Sequence, residues 1–290
     1  MIRSFRPPNP SITRRQLIAG ATAAAAYQQL GCASPVPGGN GLGALSGKSL
    51  QVQLMFSGPV NINYHYYFLI NNSNNSAGPY PVPVGAPISG TTYGNGFATG
   101  SDGQSAGFTD FVLYSNIQYP GAQPNQAYGL YHVANSSGAN AGNNPANFVA
   151  NGSPIQVFSP LTSGSSNVIA FNLDLAQLFE YPNSTYNQPA AINAAQQLTW
   201  IQVNIVSTDV VPVDITTSVT KHFDSFGDDS NGVGSYLNMN LIDGGNSFAP
   251  GTSVSLTEPT GDVFVSPGGG VTNQYPALDL VNWQITIGTD

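Results

Sequence analysis

The sequence predicts an all-β protein, an antiparallel β-sandwich of Greek-key type with long loops and one or two short helices. Apolar residues recur mostly with a period of two, the pattern of strands that keep one face in a core. Helical periodicity is confined to two short stretches. Between the apolar segments lie clusters of glycine, proline, asparagine and serine, drawn from 33 glycines and 22 prolines in 290 residues, which mark turns. Many strands with few helices pack as two facing sheets.

The first strand is expected over residues 48–57. In "INYHYYFLI", Ile62, Tyr64, Tyr66, Phe68 and Ile70 fall on one face, with Asn63, His65, Tyr67 and Leu69 on the other. Further strands are expected over 108–115, 127–134, 167–174 and 197–207. The helical stretches are "DLAQLFEY" at 174–181 and "PAAINAAQQ" at 189–197, the latter suited to cap a sheet edge or barrel end. In "SYLNMNLI", Leu237, Met239 and Leu241 alternate with Asn238 and Asn240, and in "VNWQITIG", Val281, Trp283, Ile285 and Ile287 alternate with polar residues, which predicts a buried Trp283. The polar segments 71–107 and 135–154 lack periodicity and are expected as surface loops, where a rigid β scaffold carries its binding sites. Residues 48–134 and 155–290 are candidate subdomains.

Ahead of this domain, "SITRRQLIAGATAAAAYQQLGCAS" places Arg14 and Arg15 before a run of apolar and small residues. That order is the anatomy of an export signal, and the arginine pair followed by Gln16, Leu17 and Ile18 is of twin-arginine type. Leu30, Gly31 and Cys32 resemble a lipoprotein cleavage site, although Gln29 stands where an aliphatic residue belongs. Residues 1–32 are therefore expected as signal, with Cys32, the only cysteine, as the lipidated residue, and the Pro/Gly-rich stretch 33–47 as a tether to the domain 48–290. One lipid-bearing cysteine can hold a domain at a membrane without a spanning helix, and the protein is expected at the cell envelope or surface, or secreted.

Beyond the signal only Lys48 and Lys221 stand against fourteen acidic residues, two minus fourteen, a formal charge of −12. Such a surface repels phosphate backbones, which excludes nucleic acid as a partner, and leaves membrane contact only to the N-terminal lipid. Charged residues make up 7% of the chain while 41% is apolar, enough for a substantial core.

"YYFLINNSNNSAGPYPVPV", "GNGFATG", "FTDFVLYSN", "YGLYHV", "KHFDSFGDD" and "YLNMNLID" resemble a group of exported bacterial proteins of unknown function, many with lipoprotein signals. The resemblance covers most of the chain after the signal and implies export and a β domain; it brings no activity. It also implies aspartates where this chain has Asn71, Asn72, Asn74 and Asn75, a departure that weighs against metal in the 71–76 turn.

The stretch 221–243 holds four of the acidic residues. Asp224, Asp228, Asp229, Asn231 and Asp243 offer oxygens for an irregular calcium site; the EF-hand spacing fails, and a Gly-Asp-Asp turn is the simpler expectation. Catalysis finds little support. Twelve of the acids are aspartates and nothing pairs them for glycoside hydrolysis; His65, His132 and His222 are isolated; no His-Glu-x-x-His pair occurs. The aromatic residues suit sugar recognition better. Trp200, beside Gln202 and Asn204, and Tyr93 and Phe97 in the "GNGFATG" region are candidate stacking residues, set against the commoner fate of large rings, which is burial; Tyr114 and Tyr131 share that ambiguity. The sequence thus predicts an exported surface protein without catalysis that binds a ligand, a glycan or an envelope component. The alternative is a secreted glycan-active protein, a calcium-stabilised carbohydrate-binding domain or a hydrolase.

Overall fold

The computed structural model describes residues 46–84, 97–119, 127–138, 141–158, 166–179, 189–210, 220–227, 235–242, 246–250, 256–266 and 269–288. They form an all-β, sandwich-like arrangement in which every strand pairing is antiparallel. Numbering strands along the chain, one sheet has the order β13 (Ser247–Phe248), β16 (Leu280–Gly288), β1 (Ser49–Phe56), β9 (Val168–Asp174), β8 (Gln156–Phe158). The larger sheet runs β15 (Val271–Thr272), β14 (Val263–Ser266), β11 (Lys221–Ser225), β10 (Trp200–Thr208), β2 (His65–Asn71), β5 (Asp110–Tyr114), β6 (Tyr128–Val133), β7 (Phe148–Ala150), with β12 (Leu237–Asn240) also on β10. A separate pair joins β3 (Pro81–Pro83) to β4 (Ala98–Gly100).

The alternation seen in the sequence sets the core between the sheets. Leu50, Val52, Leu54 and Phe56 of β1 and Trp283, Ile285 and Ile287 of β16 point inward, while Gln51 and Gln284 are exposed. From the facing sheet come Tyr66, Phe68, Ile70, Ile201, Val203, Ile205, Leu237 and Met239. β1 sits between β16 and β9 along nearly its whole length, Leu54 lying opposite both Trp283 and Ile169. The candidate subdomains 48–134 and 155–290 therefore interleave, since β1 of the first is the middle strand of a sheet otherwise built from the second.

The larger sheet departs from the expected one-sided pattern. Every residue of β2 is buried, because its outer face carries Tyr67 and Leu69 into a second cluster with Phe111, Leu113, Tyr131, Val133 and Val206. Phe97, Ala98, Ala106, Phe108, Ala141 and Phe148 cover that face. The described parts of 71–107 are accordingly divided: Ser73–Ala77 and Ser101–Gln104 are exposed loop as expected, while Phe97, Ala98 and Ala106 turn inward onto a second core. The closure is tight: a Cβ at Gly107, whose φ is +75°, would stand 2.5 Å from the Gly100 Cα and 2.6 Å from the Tyr80 carbonyl oxygen, so only glycine fits.

Both helical stretches fold as short helices. Leu175–Phe179 is a 3-10 turn, and the Asp174 carboxylate accepts from Ala176 N at 2.9 Å at its start. Helix α1 (Pro189–Gln197) opens on proline, where the missing N–H costs nothing. Past its end the Lys48 ammonium donates to the carbonyls of Gln196 and Leu198 at 2.7 and 2.8 Å, a cation on the negative end of the helix. Among the described residues no helix is long and apolar enough to cross a membrane.

Candidate functional site

Lys221–Ser225 is not the opening of a turn. It is β11, held between β10 and β14, and Asp224 within it is fully buried. Asp224 lies opposite Ser207, on the face that looks into the sandwich, and its Oδ2 accepts from Leu280 N at 2.5 Å. That bond crosses from the larger sheet to the first residue of β16 in the smaller one. Asp262, immediately before β14, and Asp279, immediately before β16, join it: the three aspartates are buried and offer oxygens that all lie within 4.8 Å of one another. Asp279 also clasps the chain by accepting from Gly261 N at 3.0 and 3.1 Å.

This donor set fits a hard cation. Calcium takes carboxylate oxygens at about 2.3–2.6 Å, so two ligands on opposite sides of one ion stand at most about 4.6–5.2 Å apart. Three carboxylates whose oxygens lie inside that limit meet the distance requirement for sharing one ion.

The sequence brought only Asp224 to this place. Asp228, Asp229, Asn231 and Asp243, its expected companions, lie outside the described residues, as do Cys32 and Tyr93. Asp262 and Asp279 went unnoticed because they are distant in sequence; the signal that marks them is local, an aspartate directly before an apolar strand in "GDVFVS" and "LDLVNW". Near the start of that acidic stretch, Gly227 N donates to both oxygens of Glu258 at 3.3 Å, and Glu258 also receives the Trp283 Nε1–H at 2.6 Å. Trp283 is buried as expected.

The aromatic candidates are placed differently from the expectation of exposed rings. Phe97 is 3% exposed and its ring stacks on Tyr67, centroids 4.0 Å apart and 3° from parallel; a ring held this way inside a core presents no face to a ligand. Tyr114 and Tyr131 are likewise buried. Trp200 is half-buried at the start of β10, but the amides on its face are spent inside the protein. Gln202 donates to the carbonyls of Ser76 and Gly78, and Asn204 to that of Pro81. What covers this face is the asparagine-rich turn itself. Asn74, at φ +59°, accepts from Thr199 N, Thr199 Oγ and Trp200 N at 2.8, 2.8 and 3.0 Å. Asn71 donates to the Pro79 carbonyl, and Asn72 to Asp110. Asn71 and Asn72 act here through amide donors, which aspartate lacks.

The histidines are fixed by partners. His132 Nδ1 lies 3.0 Å from buried Asp110, whose carboxyl is pushed up by burial against the opposing pull of His132. His222 Nδ1 lies 2.6 Å from Asp209, and the imidazole stacks on Tyr275 at 3.8 Å. His65 is buried with Nδ1 3.2 Å from Ser115 Oγ, and burial pushes its pKa down. The chain also carries Gly-x-Ser-x-Gly at 103–107. A nucleophile elbow needs a strand, a sharp turn and a helix. Here Ser105 lies in an irregular turn after β4, its hydroxyl donates to Asp102 at 2.9 Å, and strand β5 follows instead of a helix.

Comparison with known proteins returns nothing that bears on these groups: no protein-family model, no curated protein and no solved structure matches the chain.

Proposed function

We propose that this is a non-catalytic exported protein of the cell envelope or surface, tethered through a lipid on Cys32, whose β-sandwich is pinned by calcium and serves as a scaffold for binding. The observation that carries the proposal is the way the chemically able side chains are used. Asp224 ties the two sheets, Asp279 clasps Gly261, and His132 and His222 are each bound to an aspartate. Groups spent on fixed internal partners support architecture in preference to turnover. Calcium at Asp224, Asp262 and Asp279 is supported by the spacing and burial of their oxygens. Export and lipidation are supported by the arginine pair, the apolar run and Cys32, and a cell-envelope setting by the resemblance to exported bacterial proteins.

Detergent phase partition and cell fractionation of the full chain test the placement. The wild type is expected with membranes, Cys32→Ser soluble outside the cytoplasm, and the pair Arg14→Lys, Arg15→Lys retained in the cytoplasm. A wild type that is soluble inside the cell would refute the proposal.

A further inference from the structure

A groove of about 360 Å³ opens where the loop after β1 meets the loop before β16. Pro59, Asn61 and Tyr64 line one wall, Gln274, Tyr275 and Pro276 the other. From these residues we infer that the groove is a binding site for a neutral oligosaccharide. The inference rests on the binding part of the proposed function and supplies its place and ligand class.

The walls are set before any ligand arrives. Tyr66 OH accepts from Asn61 N at 3.0 Å and donates to the Ala277 carbonyl at 2.9 Å, bridging the two loops from below. Gly58 N donates to the Pro276 carbonyl at 2.7 Å, and Ser57 N to that of Asp279 at 2.8 Å. The approach at Gly58 is so close that a Cβ there would lie 2.8 Å from the Pro276 Cβ. Tyr275 is steadied by His222 stacked on its ring. Grooves fixed in this manner lose little entropy on binding.

The lining chemistry selects the ligand. Among the described residues no charged side chain lines the groove. The nearby carboxylate of Asp209 has one oxygen on His222 N and the other on His222 Nδ1, so it is not aimed at a cation in the groove. The formal charge of −12 beyond the signal, two lysines against fourteen acids, repels anions. What remains is an uncharged molecule with apolar faces and many hydroxyls: the tyrosine and proline rings cover the apolar face of a pyranose and the Gln274 amide bonds its hydroxyls, while the Asn61 amide oxygen is held by Asn63 N at 3.0 Å. The volume is near the low end of ligand pockets, about 300–1,000 Å³, and suits one or two sugar rings of a longer chain.

Calorimetric titration of the full chain with a panel of neutral oligosaccharides, from glucan, chitin, xylan and mannan, and separately with a proline decamer, tests this. Binding of at least one oligosaccharide is expected, weakened about tenfold or more by Tyr275→Ala, as for a central ring in a binding site, and kept by Tyr275→Phe. Gln274→Ala, at an exposed position that leaves the fold intact, is expected to weaken it several-fold. Failure of every oligosaccharide to bind overturns the inference, as does binding of the proline decamer alone. Oligosaccharide binding indifferent to Tyr275→Ala and Gln274→Ala also overturns it. None of these results bears on export, lipidation or calcium, so those parts of the proposed function stand or fall separately.

Discussion

Lys221 is one of two lysines beyond the signal, and the fold buries it to 2% exposure, its ammonium 5.5 Å over the Phe223 ring. Burial pushes its pKa from 10.5 down to about 7, against the pull of Asp209. The unfolded chain thus holds a proton between pH 7 and 10.5 that the folded chain has released, and stability must climb with pH across that window. Each unit is about 1.4 kcal/mol, so burying this amine costs the fold up to about 4 kcal/mol at pH 7. Replacing it by methionine, similar in length and without charge, is expected to stabilise the protein at pH 7 by up to that amount, less whatever the amine's own contacts contribute. For a domain of this size that is a rise in Tm on the order of 10 °C. Urea unfolding at pH 7, 8, 9 and 9.8 is the assay. The wild type should gain stability over the series and Lys221→Met should lose most of that gain, keeping only the smaller slope from Lys48, whose pKa burial also lowers. Above about pH 10 the trend reverses, because burial raises Tyr66, Tyr67, Tyr119, Tyr128 and Tyr131 and the unfolded chain then ionises first. A wild type without slope between pH 7 and 9.8, or a variant that keeps the full slope, would refute the argument.

Two further perturbations probe the elements that the sequence did not announce. Phe111→Ala removes the ring that meets Tyr67, Phe97, Phe108, Tyr119, Tyr131 and Phe148, and is expected to cost about 3–5 kcal/mol in chemical denaturation; a loss under about 1 kcal/mol would mean the second cluster is not a packed core. Asn74→Gly keeps the positive φ but takes away the acceptor for three donors, and should cost about 1–3 kcal/mol, with faster amide exchange at Thr199 and Trp200; unchanged exchange there would show that the clasp contributes nothing.

What the sequence made legible was governed by period. β1, β9 and β16 each alternate cleanly against one core, and their positions follow from the sequence alone. β2 was half legible: Tyr67 and Leu69 stood in plain view on the second face, but Asn63 and His65 beside them suggested solvent. β11 was hidden, because Lys221, His222, Asp224 and Ser225 look like a surface stretch, and their burial depends on β14, Asp209 and Leu280, which arrive from elsewhere in the chain. The same holds for the candidate sites. The carboxylate cluster is made by the interior of β11 meeting the starts of β14 and β16, and the groove by two loops, so neither is a motif in any one segment.

The most direct test of the calcium-pinned scaffold is thermal unfolding of the full chain with calcium and with chelator, in the wild type and in Asp262→Asn. Calcium at about a hundred times its Kd should stabilise the wild type by about 2.7 kcal/mol. Asp262→Asn should raise the calcium-free Tm, since it removes one of three crowded charges, and abolish the response to calcium. A wild type indifferent to calcium, or a variant that responds as the wild type does, would contradict a cation site between Asp224, Asp262 and Asp279.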